Sequence, residues 1–164
     1  MAEKAPALPT LLWISHGSAE YAAAVTLRRA LLRWPLGLDF TPAELAAEAV
    51  EQHLGLFQEG ELWGTLVLRP LSGASWQMRQ VAVAGERQGF GWGRLLVREG
   101  ECRALALGGA RLVLHARETV VAFYEKLGYQ AYGDPFEEVT LIHRAMSKEL
   151  VQPALIDMPS DSAE

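Results

Sequence analysis

The sequence predicts a mixed α/β domain in which a central twisted sheet, antiparallel at first and parallel further on, is flanked by helices. Three observations predict it. Two helix-patterned segments precede three strand-patterned segments joined by tight turns, a long amphipathic segment follows a glycine-rich turn, and short apolar runs then alternate with helical signals. A chain of 164 residues, 50% apolar and 21% charged, is long enough for one compact core. Residues 1–150 are expected to form a single domain. Residues 151–164, with prolines, serines and aspartates from Gln152 onward, are expected to be a disordered tail.

The elements follow in order. Ala19 to Trp34 carries Val25, Leu27, Leu31 and Leu32 at helical spacing after a Gly17-Ser18 start, and Pro35 and Gly37 end it. A second, short helix is expected from Thr41 to about Ala49, with Thr41 as N-cap, Pro42 at the first helical position and Glu44 completing a capping box. The period then changes. Val50 to Phe57 and Leu62 to Leu71 read as strands joined by a hairpin at Gln58-Glu59-Gly60-Glu61, and Ser75 to Val83 adds a third strand to an antiparallel meander.

After the glycine-rich stretch, Gly93, Leu96, Val97, Gly100, Ala104 and Leu107 fall on one helical stripe that Gly108-Gly109 closes. Arg111 to His115 reads as a short buried strand, and Glu118 to Leu127 as a helix stopped by Gly128. Tyr129 to Tyr132 and Glu138 to Ala145 complete the set of strands.

Composition excludes several classes. A net charge of -5 without a lysine or arginine cluster weighs against nucleic acid and anionic membranes as partners, and suits a cationic ligand better. Met1 to Pro9 lacks the pattern of a secretory signal, no segment is apolar enough to span a bilayer, and a cytoplasmic location is expected. Cys102 is the only cysteine, so neither a disulfide framework nor a multi-cysteine metal site is expected; the thiol reads as an inert buried group, and no metal is expected. Exposed strand edges are compatible with a homodimer.

The chemistry points to Gln88-Gly89-Phe90-Gly91-Trp92-Gly93, between a strand and a helix. There, small residues let backbone N–H groups converge on an anion, although glycines in a turn also answer a purely conformational need. A P-loop would require Lys-Ser/Thr after its last glycine, where Arg94-Leu95 stands. A dinucleotide fingerprint would require a small residue at Arg94 or Leu96.

The pattern Q/R-x-x-G-x-G/A, met by Gln88, Gly91 and Gly93 with Arg94 following, resembles the pyrophosphate signature of the GNAT superfamily of bacterial N-acetyltransferases. The resemblance runs from about Arg79 to Leu150, through Arg79-Gln80-Val81-Ala82-Val83, Leu114-His115-Ala116-Arg117 and Phe123-Tyr124-Glu125-Lys126-Leu127-Gly128-Tyr129. It implies a GNAT-like fold and acetyl-CoA as cosubstrate, held by Val81, Ala82, Val83, Gln88, Gly89, Phe90, Gly91, Trp92, Gly93, Arg94 and Tyr124. It also implies Tyr124 as the acid for the leaving thiolate and the Val83 N–H as oxyanion donor.

Glu138 and His143 are candidate bases, because they flank the last strand. Thr140 to Met146 resembles an ending, Ile-Pro-His-x-x-Met, of one bacterial group, with Ile142 in place of the proline; His143 reads equally well as a structural residue. Arg28 and His53 resemble substrate-binding positions of that group, though Arg28 also fits a surface position on an amphipathic helix. The acceptor class stays open among amino acids, polyamines, amino sugars, aminoglycosides and protein amines. A coenzyme A-binding sensor without turnover is the alternative of a different class.

Overall fold

A computed structural model describes residues 7–151. It holds a seven-stranded sheet and four α-helices. The first strand, β1 (Thr10–Ile14), was not foreseen: its five residues pair antiparallel with a strand some forty positions downstream, Thr10 opposite Phe57. The helix α1 (Ala19–Arg28) starts on Ser18, whose hydroxyl accepts from the Tyr21 N–H at 3.1 Å. It does not run evenly to Trp34; Arg29–Arg33 form a wider π-helical turn and Trp34–Leu36 a tight 3₁₀ turn. The capping box on Thr41 and Glu44 forms as expected and starts α2 (Pro42–Ala47), which ends in a 3₁₀ turn at Glu48–Val50.

The meander is β2 (Gln52–Gln58), β3 (Glu61–Pro70) and β4 (Ser75–Val83), antiparallel throughout. The long helix α3 (Trp92–Ala106) crosses to β5 (Arg111–Arg117), which lies parallel to β4. After a 3₁₀ turn at Glu118–Val120 come α4 (Val121–Lys126), β6 (Gln130–Glu138) and β7 (Leu141–Glu149). The spatial order β1-β2-β3-β4-β5-β7-β6 puts the last hairpin beyond β5. Its turn is Val139-Thr140, so Glu138 ends β6 and does not begin the last strand. The tail expected to be disordered begins at Gln152, outside the described residues.

The core lies between α3 and the sheet, with Leu54, Leu56, Leu66, Leu68, Leu96, Val97, Leu112 and Met146 all sealed from solvent. Gly100 sets how closely the layers approach: a Cβ there would lie 3.0 Å from the Met78 methyl and 3.2 Å from Leu66. The buried stripe of α3 is Trp92, Leu96, Val97, Gly100 and Ala104. Leu107 has left it for the exposed cap position. Cys102, expected to be buried, is exposed, because two residues after Gly100 places it about 200° around the helix from the inward stripe. No helix among the described residues is long and apolar enough to cross a membrane.

Candidate active site

The site opens where β4 and β5 part. Their parallel ladder runs from Ser75 opposite Arg111 to Met78 opposite Leu114 and goes no further. Beyond it β4 carries a bulge: Val67 of β3 faces Arg79 whereas Thr65 faces Ala82. Gln80, inside the bulge, adopts φ 53°, a left-handed conformation that costs a side-chain-bearing residue roughly 1–2 kcal/mol. The extra residue bends the strand. Residues 79–83 therefore have no ladder to β5, and a cavity of about 420 Å³ occupies the gap.

Seven of the expected site residues line this cavity: Val81, Ala82 and Val83 along the bulged strand, then Gln88, Tyr124, Glu138 and His143. Gln88 ties the glycine turn to the strand, its side-chain amide donating to the Val83 carbonyl at 3.0 Å. Gly89 and Gly91 have φ of 88° and 80° with nothing within 4 Å of an added Cβ, so the turn needs their handedness and not extra room. Gly91 is the N-cap of α3 and supplies no side chain to it, which leaves first-turn amides, including those of Gly93 and Arg94, for an anion. Phe90 projects half-exposed from the turn, and the Trp92 ring is buried in the core, so Trp92 has only its backbone to offer a ligand.

Tyr124, on α4, is packed edge-on against Phe123 and Tyr129, with ring centroids 5.0 Å and 5.7 Å away. Burial raises its phenol well above the ordinary value, so it remains a proton donor at neutral pH. Across the cavity His143, buried, has Nδ1 at 2.8 Å from the Leu141 carbonyl, which can only accept. Nδ1 therefore carries the proton, and in the neutral ring Nε2 keeps a lone pair, 3.8 Å from Glu138 Oε2. The other Glu138 oxygen lies 3.1 Å from His115 Nδ1. One carboxylate thus sits between two imidazoles at the rim.

Arg28 and His53 lie elsewhere. Arg28 falls on the inward stripe of α1 with Tyr21, Ala24 and Val25 and is 1% exposed. Its guanidinium makes a fork to Glu48 at 2.7 Å and 2.9 Å, and the Tyr21 hydroxyl donates to the same carboxylate at 2.7 Å. Burial alone would raise the Glu48 pKa, yet the Arg28 and Tyr21 hydrogen bonds outweigh it and hold the carboxyl below its usual value. His53 Nε2 donates to the Glu48 carbonyl at 2.9 Å, and burial lowers the His53 pKa. Neither residue lines the cavity; they brace α1 and the Glu48 turn against the sheet. Glu48, Glu51 and His53 hold donor atoms within 4.8 Å of one another, but each carboxylate is already paired, Glu48 with Arg28 and Glu51 with Arg79 at 2.8 Å. Their chemistry is that of an ion-pair cluster.

Other polar residues that the sequence did not single out also line the cavity, among them Arg33, His115 and Arg117. Arg33 comes from the π turn after α1, and His115 and Arg117 alternate along β5. A signal for the β5 pair was present: polar residues at positions 115 and 117 follow the apolar run Leu112 to Leu114 at a spacing of two, which places both on one face of the strand.

The comparisons with known proteins agree with this geometry. The model of the acetyltransferase (GNAT) domain matches residues 40–150. A Lactobacillus plantarum protein named for N-acetyltransferase activity is 25% identical and superposes with a TM-score of 0.78, over 88% of this chain and 100% of its own. An aminoglycoside 6'-N-acetyltransferase solved with coenzyme A is 18% identical, with a TM-score of 0.74 over 88% of this chain and 98% of its own. The ribosomal-protein-S18-alanine N-acetyltransferase of Escherichia coli is 16% identical, with a TM-score of 0.70 over 89% and 96%. With the domain model covering most of the chain, and with the bulged strand, parted sheet and glycine turn in place, this protein belongs to the GNAT acetyltransferase family.

Proposed function

We propose that residues 1–150 form a catalytic domain that moves the acetyl group of acetyl-CoA to a primary amine, of a small molecule or of a protein, by direct attack in a ternary complex. One observation carries the reading: Tyr124, the unladdered backbone of β4 and the Glu138–His143 pair face a single cavity whose far end is tied to the glycine turn. In this assignment the amine nitrogen attacks the thioester carbonyl, and the C–N bond forms as the C–S bond breaks. The Val83 N–H supports the oxyanion, Tyr124 protonates the departing sulfur, and the amine proton passes to Glu138 or His143. The amides of Gly91, Gly93 and Arg94, with Gln88 behind them, hold the pyrophosphate, while Val81 and Ala82 offer backbone to the pantetheine arm.

The competing reading is a coenzyme A sensor without turnover. A phenol kept protonated by burial, facing a carboxylate–imidazole pair, has no use in a pure binder, and this favours catalysis. Purified protein mixed with acetyl-CoA and a panel of amino acids, polyamines, amino sugars, aminoglycosides and peptides should release free thiol in step with an N-acetylated product. Thiol at background across the panel, with coenzyme A still bound, would favour the sensor.

A further inference from the structure

The cationic residues around the cavity say what kind of amine it takes. Arg33, Arg79 and Arg117 all line it, against a single carboxylate, Glu138. Arg33 and Arg117 donate to the same oxygen, the Leu32 carbonyl, at 3.1 Å and 3.2 Å, so two guanidinium groups converge on one point of the cavity wall. Among the described residues neither has a carboxylate within ion-pair distance, whereas Arg79 has Glu51 at 2.8 Å. The nearby Glu44 carboxylate is bonded to the Thr41 amide in the capping box. Burial and the neighbouring arginines lower the Arg33 pKa, with Glu44 opposing them. Two half-buried cations held together without a counter-ion are an unfavourable arrangement that an incoming anion relieves.

Position separates this cluster from the pyrophosphate site. A second, smaller cavity of about 190 Å³ shares Arg33, Arg79 and Gln80 with the first and contains no residue of the glycine turn. Arg33 and Arg79 thus mark the end of the cleft away from the glycine turn, and Arg117 is tied to Arg33 through the shared Leu32 carbonyl. Arg117 also stands directly opposite His143 in the β5–β7 ladder, where paired Cα atoms lie roughly 4.5–5.5 Å apart. An anion held by Arg117 would then lie on the same side of the cleft as an amine whose proton passes to His143.

We propose that the acceptor is a small amine carrying a carboxylate or phosphate a few bonds from its nitrogen, with that anion held by Arg33 and Arg117 beside Arg79. The identity of the amine as acceptor rests on the acetyl-transfer reading; the anion site does not. Polyamines and aminoglycosides, which bring further positive charge to this wall, are poor ligands, even though the net charge of -5 taken alone suits cations. The local cavity charge outweighs the total because the interaction is short-range and only partly screened.

The test uses matched pairs on the full chain: glycine, β-alanine, leucine and glutamate against their amides, and phosphoethanolamine against ethanolamine, with spermidine and kanamycin as polycations. Thiol release should favour at least one anionic member over its uncharged partner by about 10²-fold in kcat/KM. Whether amino acids or phosphoethanolamine respond identifies the anion. Arg117→Gln and Arg33→Gln should each raise the acceptor KM by about 10-fold or more and collapse the preference towards parity, leaving the KM for acetyl-CoA unchanged. Arg117→Lys should keep part of the preference. Equal use of acids and amides by the wild-type protein, better use of the polycations, or a preference that survives both glutamine substitutions would overturn the proposal.

Calorimetry on the coenzyme A-bound protein separates the two failures. Anionic members that bind, lose binding in Arg117→Gln and yet release no thiol would sink acetyl transfer while supporting the anion site. Binding heats equal for acids and amides, or absent for both, would sink the anion site.

Discussion

At the scale of single residues, the site depends on groups whose protonation is set by burial. Tyr124 illustrates it: desolvation raises its pKa, so the phenol stays protonated through the neutral range and remains a hydrogen-bond and proton donor towards a departing thiolate, whose own basicity the same desolvation raises. Tyr124→Phe keeps the ring contacts with Phe123 and Tyr129 and removes the hydroxyl alone. Turnover at saturating acetyl-CoA should fall by roughly 10²-fold, with the melting temperature little changed. Unchanged turnover would move the acid elsewhere. For His143 the geometry matters: the bond from its Nδ1 to the Leu141 carbonyl turns its Nε2 towards Glu138.

At the scale of elements, the glycine turn and the bulge on β4 do separate work. The bulge parts the strands, while the turn, pinned by Gln88, presents the N-terminus of α3. Gly91→Ala should therefore act through conformation: forcing a Cβ into φ 80° costs about 1–2 kcal/mol and disturbs the amides that would face the pyrophosphate. The expected result is a several-fold higher KM for acetyl-CoA with the acceptor KM unmoved, measured by varying each substrate in turn.

This turn was legible in the sequence because its requirements are local, as were the capping box on Thr41 and the meander from Gln52 to Val83. What was missed depends on distant partners. Thr10–Ile14 becomes a strand only because residues near Phe57 offer an edge, and the π turn at Arg29–Arg33 delivers Arg33 to a cavity whose other walls are β4 and β5. Arg28 was misplaced for the same reason. Its pairing partner, Glu48, is twenty residues away, and no helical periodicity reveals that an arginine on the inward stripe has a buried carboxylate waiting for it.

At the scale of the whole molecule, that pair joins α1 to the turn before β2, with Tyr21 and His53 completing the joint. An ion pair this deeply buried adds little compared with an apolar equivalent, but removing one partner strands the other. Arg28→Ala should therefore cost about 3–5 kcal/mol at neutral pH, read by urea unfolding. The sign of the pH dependence follows from Glu48. Its folded pKa is depressed, so its contribution is present above the unfolded value, about 4.5, and is lost as pH falls through the folded value. In Arg28→Ala the Arg28 hydrogen bonds and charge are gone and the Tyr21 hydroxyl bond remains as the main group opposing burial, so the Glu48 pKa rises relative to wild type. That carboxyl then takes up its proton earlier on acidification and removes the stranded charge. The gap between wild type and variant should consequently narrow between neutral pH and about pH 4, whereas a gap that stayed constant would mean that Arg28 stabilises the joint by packing alone.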